Sequence, residues 1–178
     1  MLYLDHAATT PLRPEVRNAM APFVGERFGN PSGVHTTAQQ AKNAVEEARE
    51  QIAASIGATH PLEIVFTGGG TESDNLAVLG ASWSRSGGII TTAVEHAAVL
   101  ESARVAGRNG RDVTIVPVDR NGRVSPEDVS AAVDDGTAVV SVMMATNETG
   151  VLQPVDAVGQ RMREVNSRAV LHTDAVQA

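Results

Sequence analysis

A chain of 178 residues is long enough for one compact domain with a real core, since a domain of about 150 residues buries roughly 70% of its unfolded surface. Apolar residues at 42%, charged residues at 20% and a formal charge of −7 fit a globular protein, and the scattered arginines with the single lysine, Lys42, form no basic stripe for nucleic acid. With no cysteine, no apolar run near the ~20 residues of a membrane span and no charged-then-apolar leader, a cytoplasmic protein without membrane or nucleic-acid partners is expected.

Along the chain, Val16, Ala19, Met20, Phe23 and Val24 recur at helical spacing behind Pro14, and Pro22 is expected to kink or end that short helix. A longer helix runs from about Thr37, with Ala38, Ala41, Val45, Ala48, Ile52 and Ile56 on one face and Gly57 as its C-cap. An alternation then sets in. Strands are expected over Leu62–Phe66, Gly88–Thr92, Asp112–Val118, Thr137–Met144 and Ala169–Thr173. Helices are expected over Thr71–Ser84, His96–Arg108, Pro126–Val133 and Val155–Val165. The strands are continuous apolar runs, as burial on both faces of a parallel sheet requires, so the fold class is α/β with a doubly wound, mostly parallel sheet. Ligands in such sheets sit beyond the carboxyl ends of the strands, which directs attention to the segments after Phe66, Thr92, Met144 and Thr173.

After Phe66 comes Thr67-Gly68-Gly69-Gly70-Thr71-Glu72-Ser73-Asp74-Asn75, a glycine turn running into a helix. Glycines let backbone approach an anion, Thr71 can cap the helix and offer a hydroxyl, and the free N–H groups favour a phosphate. A capped turn with no ligand is the competing reading. The third glycine of a dinucleotide fingerprint is missing, and no GK[ST] follows. Val94-Glu95-His96 opens the next helix and aims an imidazole that could stack on a planar heterocycle, or is an ordinary polar first turn. Asn147, in Thr146-Asn147-Glu148-Thr149-Gly150, offers both a donor and an acceptor, although alone it is a turn signal. Asp174, in His172-Thr173-Asp174-Ala175-Val176-Gln177, is a cap residue or a carboxylate awaiting a cation such as a protonated pyridine nitrogen. His6, His35, His60 and His172 show no metal-ligand spacing, so no metal site is expected.

Together these segments resemble the class V aminotransferases, a family of pyridoxal 5'-phosphate enzymes of fold type I, and among them the cysteine desulfurases. Tyr3 to Pro11, Gly29-Asn30-Pro31-Ser32 with His35, Gly70 to Asn75, Glu95-His96, Asn147 to Gly150 and Asp174 to Gln177 follow in the family's order. The resemblance implies that Gly70 and Thr71 bind the cofactor phosphate and that His96 stacks on the ring and helps move protons. It also implies that Asp174 pairs with the ring nitrogen and that Asn147 and Gln177 lie on the phenolic-oxygen side. Residues 1–12 would be an active-site arm, and residues 13–178 the N-terminal part of the large cofactor-binding domain. The implied activity converts L-cysteine to L-alanine and leaves sulfur on an enzyme thiolate, in a homodimer that serves a sulfur acceptor such as an iron–sulfur scaffold. A selenocysteine lyase, another class V aminotransferase and a non-catalytic interaction module are the alternatives. The cofactor-holding lysine and the persulfide cysteine of the family have no counterpart here, because Lys42 lies in the long helix; a truncated chain, inactive alone, is therefore expected.

Overall fold

The structure, a computed structural model, describes residues 2–165 and 168–178 and forms two compact units, Met1–Phe66 and Thr67–Ala178. In the first unit, helix α1 (Pro14–Val24) starts on the expected proline and ends two residues beyond Pro22, while helix α2 (Thr36–Ile56) closes on Gly57. Gly57 takes φ 72°, the left-handed conformation that a side chain disfavours, which is why glycine terminates this helix. At the other end His35 caps α2 by accepting from the Ala38 N–H. The apolar face expected on α2 is only partly covered: Ala38 is buried, whereas Ile52 and Ile56 are exposed.

The expected strand over Leu62–Phe66 does not form. Pro61–Glu63 makes a 3₁₀ turn instead, seeded by the proline and capped by His60, and the extended residues beyond it pair with no strand among the described residues. A short apolar run carries no information about whether a neighbouring strand is present to accept its hydrogen bonds.

The second unit holds helix α3 (Gly70–Arg85), strand β1 (Gly88–Thr92), helix α4 (Ala97–Arg108) and strand β2 (Val113–Val116). Helix α5 (Pro126–Ala132), strand β3 (Thr137–Ser141), helix α6 (Val155–Glu164) and strand β4 (Val170–His172) complete it. All pairings are parallel and the strand order is β2-β1-β3-β4, as expected of a doubly wound sheet. Burial explains the apolar runs. Ile89 and Val139 face one side, packed with Val78 of α3 and with Val99, Ala103 and Ala106 of α4. Their chain neighbours Ile90 and Val140 face the other, against Val129 of α5 and Val158 and Met162 of α6. With helices on both faces, successive residues of the central strands β1 and β3 have no route to water, whereas Thr114 and Ile115 of edge strand β2 stay exposed. Strands β2, β3 and β4 are shorter than the apolar runs that announced them, although backbone bonds from the Val142 N–H to His172 and from the Met144 N–H to Asp174 carry the β3–β4 contact further.

The chain leaves β1 toward β2 on one side and enters β4 from β3 on the other, so the winding reverses between β1 and β3. The carboxyl ends of these two strands flank the crevice where open α/β sheets bind ligands.

Candidate functional site

Three elements meet at that crevice. One ligating atom from each of Asp74, His96 and Asp174 lies within 4.8 Å of the others, although the residues are 22 to 100 positions apart in sequence. Helix α3 contributes Asp74 from its second turn, the α4 entrance contributes His96, and the segment after β4 contributes Asp174. Asp74 and Asp174 are buried, and the imidazole is exposed.

Local chemistry holds each group. His96 is the N-cap of α4: its Nδ1 accepts from the Ala98 N–H at 3.1 Å, so a neutral ring carries its proton on Nε2. Asp174 accepts from the Val176 N–H at 3.0 Å, and its carbonyl accepts from the Met144 N–H at 2.9 Å, which ties the end of β4 to the continuation of β3. No lysine or arginine pairs with Asp174 among the described residues.

The glycine turn lies at the same end of the sheet. A Cβ on Gly70 would come within 3.0 Å of Val176 Cγ2, so the start of α3 and the loop after Asp174 approach too closely for a side chain at residue 70. Gly69, not Thr71, occupies the cap position, and no side chain caps α3 there. Thr71 stands exposed one residue inside the helix with no hydrogen bond from its hydroxyl among the described residues. The turn is braced instead by Glu72, which accepts from the Gly68 N–H at 2.6 Å, and by the Thr67 and Ser73 hydroxyls 2.7 Å apart. Asn147 is exposed in the turn after Ala145, and Gln177 is exposed after Asp174; neither belongs to the three-residue cluster.

Four further residues, Asp74, His172, Ser141 and Glu95, join the site without any local mark of a role. Asp74 lies one helical turn from Gly70, which puts both on one face of α3. His172 and Asp174 are two apart on an extended segment and share a side. His172 Nε2 lies 3.5 Å from Asp74 Oδ1, and His172 Nδ1 lies 2.8 Å from Ser141 Oγ. Ser141 Oγ in turn donates toward Glu95 Oε2 at 3.4 Å. Glu95 is buried across the switch point, where its Oε1 accepts from the Met143 N–H at 2.7 Å and from the Thr92 hydroxyl at 2.9 Å.

Burial dominates the electrostatics. Desolvation pushes Asp74 up to about 6, helped by the nearby Asp174 carboxylate and opposed by His96. Desolvation likewise pushes Glu95 up to about 7, against the lowering effect of its bonds from Met143, Thr92 and Ser141. His172 is pushed below the usual histidine value by burial, with Asp174 opposing. Raised acids make the folded chain hold protons that the unfolded chain, with values of 3.8 and 4.5, has already released. Their stabilising contribution is therefore complete below about pH 4 and is lost as pH rises through 6 to 7. Urea unfolding at a series of pH values checks the sign: Glu95→Gln should gain stability relative to wild type between pH 4.5 and about 7. A difference that stays flat across that window would show that Glu95 does not titrate there.

A parallel, doubly wound sheet with a glycine turn, an imidazole and a buried carboxylate around its switch point has the frame in which open α/β folds bind ligands. The family profile described as "Aminotransferase class-V" matches residues 2–178, and the chain belongs to that family. It is 46% identical to "Cysteine desulfurase IscS" of Dictyoglomus turgidum (strain DSM 6724 / Z-1310) over 179 residues, covering 99% of this chain and 45% of that protein. Among solved structures, "NIFS-LIKE PROTEIN" superposes with a TM-score of 0.90 at 37% identity, over 98% of this chain and 48% of its own. "SspA in complex with cysteine" does so with a TM-score of 0.91 at 37% identity, over 99% of this chain and 51% of its own. The chain thus spans about half the length of the proteins it matches.

The residues fit the family's cofactor. A flat ring with a cationic nitrogen at one edge and a phosphate at the other needs a buried anion and an anion cup a few ångströms apart. Asp174 would supply the first. The side-chain-free start of α3 would supply the second, and Gly70 lies about 6 Å along the helix axis from Asp74, one of whose carboxylate oxygens is within 4.8 Å of Asp174.

Proposed function

We propose that this chain is the N-terminal, cofactor-cradling part of a pyridoxal-phosphate-dependent cysteine desulfurase, which converts L-cysteine to L-alanine and leaves the sulfur on an enzyme thiolate. The observation that carries this reading is the meeting of Asp74, His96 and Asp174 beside the open start of α3. When bound, pyridoxal phosphate supplies an electron sink for charge developing on the substrate α-carbon. Asp174 would stand against the ring nitrogen, where a carboxylate favours the nitrogen's protonated form. Backbone N–H groups at Gly70 and Thr71, with the Thr71 hydroxyl, would bind the phosphate; the helix end would add about 0.3–1 kcal/mol. His96, held by its cap bond, presents Nε2 to the crevice for stacking and proton movement. Asn147 and Gln177 would take the phenolic-oxygen side, with Asn147 also near the substrate carboxylate. The cofactor-holding lysine and the sulfur-accepting cysteine that the family resemblance implies would come from outside the 45% of the relative's length that this chain covers.

The cysteine-bound neighbour and the names of the relatives support L-cysteine as substrate. A cytoplasmic homodimer that hands sulfur to an acceptor such as an iron–sulfur scaffold completes the reading. The test is turnover by the full-length protein loaded with pyridoxal phosphate. Alanine and, with a reducing thiol, sulfide should appear in equal amounts from L-cysteine. Alanine from selenocysteine alone, or amino transfer to a keto acid in place of sulfur release, would overturn it.

A further inference from the structure

Beneath the crevice lies a continuous polar path that none of the roles above uses. It runs from Glu95 Oε2 to Ser141 Oγ, on to His172 Nδ1, through the imidazole to Nε2, and ends at Asp74 Oδ1, with spacings of 3.4, 2.8 and 3.5 Å. Both ends are buried carboxylates, at 6% exposure for Glu95 and 4% for Asp74, and neither has a lysine or arginine partner among the described residues. The two central groups are amphoteric: a hydroxyl and a neutral imidazole each give one proton and accept one.

Such a path has two self-consistent arrangements. In the first, Glu95 is protonated and donates to Ser141, Ser141 donates to Nδ1, and the Nε2–H donates to ionised Asp74. In the second, Glu95 is ionised and accepts from Ser141, Nδ1–H donates to Ser141, and protonated Asp74 donates to Nε2. Moving between them takes one proton from Glu95 to Ser141, the serine's own proton to Nδ1, and the Nε2 proton to Asp74. Nothing is gained or lost overall. Glu95 Oε1 is already occupied by Met143 and Thr92, which leaves Oε2 as the atom that carries the proton.

We propose that Asp74 and Glu95 share one proton through Ser141 and neutral His172, and that this relay sets the charge which the crevice floor presents beside Asp174. The raised carboxyls of both residues and the lowered imidazole of His172 accord with it. The charged groups that face the relay are few. Asp174, at the end of β4, opposes ionisation of both carboxylates and favours charge on His172, and His96, at the start of α4, favours ionisation of Asp74. Glu95 is then a positioning residue, acting on the ring site through Asp74 and through its electrostatic effect on Asp174. Its consequence for a bound ring rests on the cofactor reading above, whereas the shared proton itself does not.

The tautomer of His172 reports the arrangement without cofactor or turnover. It is read from the ¹⁵N shifts of histidine-labelled full-length protein, assigned against His172→Gln, without and with pyridoxal phosphate. Glu95→Gln places an amide donor against Ser141 and should fix the Nε2–H tautomer. Asp74→Asn places a donor against Nε2 and should fix the Nδ1–H tautomer. Ser141→Ala should erase the response to residue 95. Should either isosteric variant fail to fold, wild-type ¹³C-carboxyl titration decides: Asp74 and Glu95 should each show both steps of one coupled titration. One tautomer in both variants, a cationic His172 near neutral pH, or two independent single-step titrations would overturn the proposal. Because no substrate enters these measurements, their failure is distinct from a failure of desulfurase turnover.

Discussion

Asp174→Asn in the full-length protein should lower the rate of alanine formation by about 10²–10³-fold, the usual cost of deleting one preorganised electrostatic group from a water-poor site. The substitution is isosteric and retains an acceptor for the Val176 N–H, so the loop after β4 keeps its shape. What disappears is the charge. Asp174 is 8% exposed and has no lysine or arginine against it among the described residues, an arrangement that is costly unless a cation arrives. A ring nitrogen that meets an amide instead of a carboxylate has no reason to stay protonated, and an unprotonated ring is a poor electron sink. Binding of inorganic phosphate at the α3 end should be unchanged, because Gly70 and Thr71 are untouched. A loss under about tenfold in alanine formation would remove Asp174 from the role assigned to it, and with it the strongest support for the cofactor geometry.

The sheet was legible because its signal is local and redundant. Burial on both faces forces unbroken runs such as Gly88–Thr92 and Thr137–Ser141, and each is followed by a helix whose own period is visible. The failure at Leu62–Phe66 has the opposite cause, since whether five apolar residues pair depends on a neighbour the run itself does not encode. The same division runs through the site. Gly70, His96 and Asp174 were visible because a glycine turn, a helix entrance and a strand end are each marked locally. Asp74, Ser141 and His172 were not, because their chemistry exists only once α3, β3 and β4 stand side by side. Glu95 is the instructive case: it adjoins His96 in sequence, yet its side chain turns away from the crevice entrance and into the seam between β1 and β3.

That seam makes Glu95→Ala the substitution with the largest expected effect on stability. Alanine removes the carboxyl oxygen that accepts from the Met143 N–H and the Thr92 hydroxyl, both buried, and an unsatisfied buried donor costs about 1–3 kcal/mol. The lost methylenes leave space between two strands that are already close-packed, which adds a cavity cost. Part of this is offset because wild type must itself bury the carboxylate. A net loss of about 2–4 kcal/mol is expected from urea unfolding near pH 5, a large share of the 5–15 kcal/mol typical of a folded domain. Glu95→Gln keeps an acceptor for Met143 and Thr92 and a donor for Ser141, so it should lose about 1 kcal/mol or less. The alanine penalty should also shrink as pH rises from about 4.5 to about 7, because over that window folded wild type holds a proton on Glu95 that its unfolded chain has released and the variant has no such group. An alanine variant within about 1 kcal/mol of wild type at pH 5 would mean that Met143 and Thr92 find other partners and that Glu95 does not pin the switch point.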